Sequence, residues 1–358
     1  MTKVTIRDVA NAAGVSPATV SRALSQPGRV TLETAERIRR IADELGYRSR
    51  GVTVDPLDVG LVGEVAVLVP DLRYPIFADY LHGMQKVCDG RGYALAVSVV
   101  GREGQLEREL IARCLKRADG LVLIASRVSD TVIRKAAQTK PVVVVNRLVR
   151  GVQSVIVDDR ASVERAVMEL RRLGHTAITY VDGPVTSWQN GLRWQGLLTV
   201  CQREGMRLRR IECPYTEAGM DDSVFEAFLQ RPTGAIVAYN DGIAVAFMQL
   251  LEARGLSVPG DVSVIGFDDL LSGRMATPRL ATIGVDRDMV GALAAGSLMD
   301  RILHVAGPGT APDVLHSRFL PAASVGPARP GPFGPTGLSG GVGESGSPAP
   351  SDSAETSA

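Results

Sequence analysis

Apolar residues recur at helical spacing three times within the first 45 positions. Ile6, Val9, Ala10 and Ala13 form one stripe, Val20, Ala23 and Leu24 a second, and Ala35, Ile38, Ala42 and Leu45 a third. Stripes of this period predict three short amphipathic helices. Their ends carry matching punctuation. Thr5, Ser16 and Thr31 offer side-chain oxygens to free N–H groups, and Pro17 falls in a first turn, where its missing N–H costs nothing. Gly14 and Gly46 supply the stops, since glycine accepts a positive φ.

Near residue 64 the pattern changes to short apolar runs alternating with amphipathic stretches. Strands are expected at 65–69, 94–99, 121–125, 142–145, 177–181, 235–239 and 263–267. Helices are expected at 76–90, 104–117, 160–173, 190–204, 221–230, 241–254 and 287–305. Such alternation predicts parallel sheets covered on both faces, and two successive sets predict two doubly wound lobes with a ligand cleft between them. The expected organisation is a helical headpiece at 1–47, a linker at 48–63 containing Pro56, an α/β body at 64–325 and a tail at 326–358. The tail is rich in Pro, Gly and Ser, with too little apolar surface to offset the entropy of ordering, so disorder is expected there.

A chain of 358 residues, 45% hydrophobic and 22% charged, reads as a soluble protein of two or more domains. Its apolar runs are too short to span a bilayer, and no signal peptide opens it, so a cytoplasmic location is expected. Cys88, Cys114, Cys201 and Cys213 lie far apart, which suggests reduced thiols and no metal site. The net charge of +1 conceals an asymmetry: residues 1–50 hold nine basic and five acidic side chains, against 31 and 34 in the remainder. A basic module on an acidic body points to a polyanion partner for the module.

The second predicted helix sharpens that reading. Pro17, Ala18, Ser21 and Arg22 fall opposite its apolar stripe, a slim face that suits a DNA major groove. Arg22 can reach guanine O6 and N7 with two hydrogen bonds. Ser16, Thr19, Ser21 and Thr34, with Arg29 and Tyr47, suit phosphate contacts. The plainer alternative makes Arg22 a solvated charge and the hydroxyls mere caps.

The run from Val4 to Arg22, continuing through Val30-Thr31 to Leu45-Gly46-Tyr47, strongly resembles the headpiece of the lactose/galactose repressor (LacI/GalR) family. Further motifs follow in the family's order: Val69-Pro70-Asp71, Pro75-Ile76-Phe77-Ala78, Leu173-Gly174-His175, Gly183-Pro184, Asn240-Asp241, Val264 to Asp269 and Thr277-Pro278. The resemblance spans all but the tail. It implies a helix-turn-helix headpiece on a periplasmic-binding-protein-like core of two doubly wound parallel-sheet lobes. It also implies base reading by Pro17, Ala18 and Arg22, and backbone contacts that include Thr5. The linker departs from the pattern. Leu57 is the candidate minor-groove wedge, but Pro56 falls where the family forms a hinge helix, and proline in a helix interior costs about 3 kcal/mol.

No nucleotide-binding glycine fingerprint, catalytic triad or metal spacing emerges, so neither an enzyme nor a cofactor is expected. Arg193 matches the family's ligand-binding arginine, and Asp268 the carboxylate ending the Gly-Phe-Asp strand; Asn240 opens the loop after another strand. Together they suit vicinal hydroxyls, with Phe77, Trp188 and Tyr215 against a sugar's apolar face. The alternative has Asp268 and Asn240 capping loops and Trp188 in the core. Tyr74 replaces the family's usual asparagine before Pro75, and Gly191 and Val285 replace polar positions. The resemblance thus implies a homodimeric repressor on a pseudo-palindromic double-stranded DNA operator, controlled by a small effector, a sugar before a purine. The competing reading is a two-lobed ligand sensor or solute-binding protein whose specific DNA binding is weakened or lost.

Overall fold

The computed structural model describes residues 4–25, 30–45, 60–101, 104–213, 215–216, 219–220, 222–305 and 311–329. It divides into two compact units, Met1–Leu61 and Val62–Ala358.

In the first unit the expected helices are α1 (Ile6–Ala13), α2 (Pro17–Ser25) and α3 (Leu32–Glu44). Thr5 and Asp8 form a capping box on α1: the Asp8 carboxylate accepts from the Thr5 backbone N–H and hydroxyl, each at 2.7 Å. Gly14 ends α1 at φ 65°, and Ser16 Oγ caps α2 by accepting from Thr19 N–H at 3.1 Å. The core is built from small side chains, with Val9, Ala10, Ala13, Val20, Ala23, Ala35, Ile38 and Ala42 buried together. Alanines at the contacts let three short helices approach closely. Leu45, expected inside, is exposed because α3 ends at Glu44, one residue before it.

The second unit has two lobes. The chain first builds β1 (Glu64–Val69), α4 (Pro75–Asp89), β2 (Ala94–Val99), α5 (Gly104–Arg117), β3 (Gly120–Ile124), α6 (Asp130–Ala137), β4 (Val142–Val145) and β5 (Gln153–Asp158). It crosses over and continues with α7 (Arg160–Arg172), β6 (Ala177–Val181), α8 (Trp188–Arg203), β7 (Arg207–Ile211), the small ladder β8 (Tyr215–Thr216) and β9 (Gly219–Met220), and α9 (Asp222–Leu229). Next come β10 (Ala235–Ala238), α10 (Asp241–Ala253), β11 (Ser263–Phe267), α11 (Leu271–Met275) and β12 (Ala281–Gly284). Helix α12 (Arg287–Ile302) and β13 (Asp313–His316) return to the first lobe, and β14 (Arg318–Leu320) to the second.

The sheet orders are β13-β5-β4-β3-β1-β2 and β14-β12-β11-β10-β6-β7, parallel except for the β12–β14 pair. Three connections therefore link the lobes, after Asp158, Gly284 and His316. Fully apolar β3, β4 and β10 are buried along their whole length, as parallel strands covered on both faces must be. Helices α4 and α12 cross where Gly83 and Gly291 face each other's backbone.

The predicted tail boundary is too early. Gly326 donates its N–H to Ser263 Oγ at 3.1 Å and its carbonyl accepts from His175 Nε2 at 3.0 Å; Ala328 N–H reaches Leu173 O at 2.8 Å. Backbone groups, which composition does not reveal, hold residues 326–329 on the second lobe. The rest of the predicted tail, 330–358, lies outside the described residues.

Candidate recognition helix and effector cleft

Pro17, Ala18, Ser21 and Arg22 lie on one exposed face of α2, opposite buried Val20 and Ala23. Arg22 donates from Nε to Ala18 O at 3.1 Å, which uses one of its five N–H donors. The hydroxyls are partly engaged within the unit. Thr5 and Ser16 serve as caps, Ser16 pairs with Thr19 Oγ1 at 2.9 Å, and Thr31 donates to Thr34 Oγ1 at 2.8 Å. Arg29, Tyr47 and Leu57, with Pro56, lie outside the described residues.

In the second unit the fold brings Arg193 and Asp268 together although 75 positions separate them. Arg193 comes from the second turn of α8, and Asp268 follows β11. Arg193 Nη2 donates to Asp268 Oδ1 at 3.0 Å, Nη1 to Tyr239 O at 2.5 Å, and Nε lies 3.5 Å from Asp159 Oδ2. The guanidinium also lies 4.2 Å from the Phe267 ring centre and 5.1 Å from that of Tyr239. Burial opposes its charge, but Asp268 and Asp159 outweigh that effect and raise its pKa, so it stays a cation. Asp159 moves the other way: burial raises its pKa and Arg193 offsets only part of the rise.

Asp268 and Asp269 have positive φ, 99° and 52°, which non-glycine residues hold only when neighbours enforce it. Arg287 donates to both of their carbonyls, and beside the turn lies Asp241, fully buried at the start of α10. Its Oδ2 accepts from Leu270 N–H at 2.7 Å and its Oδ1 from Thr282 Oγ1 at 2.6 Å. Burial pushes Asp241 up to about 7; Thr282 opposes the shift, and Asp268 adds to it. A carboxyl whose folded pKa lies above its unfolded value stabilises the fold fully at low pH and loses that contribution as pH rises through the folded value. Stability is thus expected to fall between about pH 4 and 7, and Asp159 contributes with the same sign. Asp241→Asn should flatten the Asp241 part of that slope, at most about 1.4 kcal/mol per pH unit, in urea midpoints at pH 5 and 8. An unchanged slope would remove Asp241 from the account.

The other expected site residues are placed unevenly. Phe77 sits half-buried between Tyr74 and Tyr80, with ring centres 6.2 and 6.4 Å away. Trp188 is 48% exposed, not core, under the Arg147 guanidinium of the opposite lobe at 6.0 Å. Asn240 caps α10, its Oδ1 accepting from Ile243 N–H at 2.8 Å. Tyr215 belongs to β8, and its side chain lies outside the described residues.

Two residues not picked out from the sequence belong with these. Asn146 follows β4 and Gln189 lies one turn before Arg193; they are 8% and 7% exposed, and Asn146 Oδ1 and Gln189 Oε1 are buried without a partner. Unpaired buried acceptors are costly. Asn146 was legible as the first polar residue after four valines, Gln189 as the (i−4) neighbour of Arg193 on one helix face. A cavity of about 590 Å³, lined by Asp159, Trp188, Leu192, Leu148 and Val314, lies alongside; another of about 730 Å³ includes Asp79, Asp269, Arg287 and Arg318. Arg193 and Asp268 line neither. Among the described residues no helix is long and apolar enough to cross a membrane, and no cluster of His, Cys, Asp and Glu side chains can hold a metal ion.

A helix-turn-helix unit followed by a two-lobed parallel α/β body with a buried polar cleft defines a transcription regulator with an effector-binding core. Residues 5–49 match the model of bacterial regulatory proteins of the lacI family, and residues 167–322 that of the periplasmic binding protein-like domain. The headpiece is thus similar to those of the lacI family, and the body to the periplasmic binding protein-like domain. It is 29% identical to the transcriptional repressor CytR of Escherichia coli K12, over 84% of this chain and 90% of that one. It is 28% identical to the ribose operon repressor of the same organism, over 83% and 93%. In fold it is similar to the lac repressor dimer bound to operator and an anti-inducer, with a TM-score of 0.68 at 24% identity, covering 91% of this chain and all of that one. These relatives are transcriptional repressors, not enzymes.

Proposed function

We propose that the protein is a cytoplasmic repressor that binds a pseudo-palindromic operator as a dimer and is controlled by a small polar effector in the inter-lobe cleft. A single headpiece touches few bases, so two-fold pairing is needed to place two recognition helices on successive major-groove faces. Pro17, Ala18 and Arg22 are assigned to bases, and Ser16, Thr19, Ser21, Thr34, Arg29 and Tyr47 to the backbone.

The observation that carries the effector reading is the buried set of Arg193, Asp268, Asn146 and Gln189. Two of its acceptors lack donors, and they come from opposite lobes. A ligand with several hydroxyls supplies such donors to both lobes at once. A sugar or sugar derivative fits best, and a nucleoside second, with Trp188 and Phe77 as apolar walls. Because Arg193 also touches Asp159, beside the first inter-lobe connection, a ligand that engages it bears on the relative placement of the lobes.

The test titrates pentoses, hexoses and nucleosides into the protein on operator DNA, with anisotropy as readout. At least one class should change operator affinity by tenfold or more. Specific DNA binding indifferent to every polyol and nucleoside would contradict the effector assignment. The decayed-sensor reading is favoured by Pro56 in the linker, and it predicts the reverse: ligand binding without a preferred DNA site.

A further inference from the structure

The Arg193–Asp268 pair leaves one carboxylate oxygen, Asp268 Oδ2, and the opposite lobe fills it. Tyr74, the N-cap residue of α4, donates its hydroxyl to that oxygen at 2.6 Å. Its ring reaches into the second lobe at the start of α10: a Cβ placed on Gly242 would lie 3.6 Å from Tyr74 Cε2, an ordinary contact. Phe77, one helical turn along, meets the same ring edge-on. Burial and the adjacent Asp268 charge push the phenol pKa well above its usual value, so it stays protonated as a donor.

We propose that Tyr74 is a specificity-determining residue that acts as a tethered stand-in for a ligand hydroxyl. It holds the cleft closed without effector, and an effector gains Asp268 only by displacing it with a donor of its own. This rests on the effector-site reading above and adds to it a residue and a ligand requirement. A ligand that offers only acceptors at this point cannot replace the phenol, since Asp268 would lose its second donor. Closure from the first lobe has a further strut, because Arg287 donates to the backbone carbonyls of Asp268 and Asp269. Arg287 lies three residues after Gly284, beside that inter-lobe connection. Tyr74 has 194 residues between itself and Asp268, and its bond must break when the cleft opens.

The experiment needs no effector. A thiol is placed in the cleft by Gln189→Cys, and its labelling rate by a small thiol reagent is read by peptide mass spectrometry, with and without Tyr74→Phe. Native Cys201 is fully buried in the core of the same lobe and reports loosening of the lobe itself. A hydrogen bond to a charged group is worth roughly a ten- to hundredfold shift in an equilibrium. Labelling at position 189 should rise by about that factor with Tyr74→Phe, while Cys201 stays within twofold. No change at 189, or equal acceleration at both thiols, would overturn the latch. Either result leaves the effector reading standing, because that reading fails only if the ligand titration fails.

Discussion

Arg193→Ala is expected to cost about 3–5 kcal/mol of stability and to abolish effector binding, while leaving the headpiece able to bind DNA. The guanidinium is 8% exposed, and the carboxylates beside it, Asp268 and Asp159, are themselves largely removed from solvent. Removing one partner of a buried ion pair strands the other in a medium that solvates charge poorly. Tyr74 still donates to Asp268, and Asp159 can take up a proton because burial already raises its pKa. The loss should therefore shrink as pH falls. Arg193→Lys should recover little, since an ammonium cannot direct donors to Asp268, Asp159 and the Tyr239 carbonyl together. Urea unfolding followed by Trp188 and Trp194 fluorescence checks the first claim, and calorimetric titration checks the second. Wild-type stability in the alanine variant would mean that the carboxylates are solvated, contrary to the closed cleft.

Gly291→Ala should also be damaging, for a steric reason. A Cβ at 291 would stand 1.9 Å from the Tyr80 carbonyl oxygen, and one at Gly83 2.0 Å from that of Asp288. Both obstacles are backbone, so neither can swing aside, and α4 and α12 would have to separate. Overpacking of this kind costs about 1–3 kcal/mol, sometimes more. The shift also moves Tyr74 and Phe77, at the cleft end of α4. Gly296, in the same helix, is the control: nothing stands within 4 Å of its added Cβ. Gly296→Ala should be neutral or stabilising by roughly 0.5–1 kcal/mol through helix propensity. Equal melting temperatures for the two variants would contradict the close helix crossing.

Legibility followed the range of the interactions. Headpiece helices could be read from local signals, such as Thr5, Gly14 and the Ser16-Pro17 pair, because caps and stops act within four residues. The alternating strands and helices were equally plain. Elements that lack an apolar signature were not: β5 begins with Gln153-Ser154, β7 contains three arginines, and α6 is short. In the cleft, Arg193 and Asp268 were legible through family resemblance. Their geometry was not, since Asp159, Tyr239 and Tyr74 join them from distant parts of the chain. Tyr74 registered only as a departure from the family's pattern, and its hydrogen bond to Asp268 gives that departure a physical meaning. Asn240, read as a ligand group, caps its own helix, and residue type alone does not separate the two roles.

The central claim, sequence-specific DNA binding through α2, is tested most directly by incubating the full-length protein with fragments of the source genome at physiological salt and sequencing those retained. The account predicts one shared site with two-fold symmetry, its half-sites one helical turn apart or a multiple of it. The site should lose its preference at a base pair in each half when Arg22→Ala is used, a discrimination of about 1–3 kcal/mol. Retention that falls steeply with salt and enriches no common site would show only phosphate contact, and would contradict the claim.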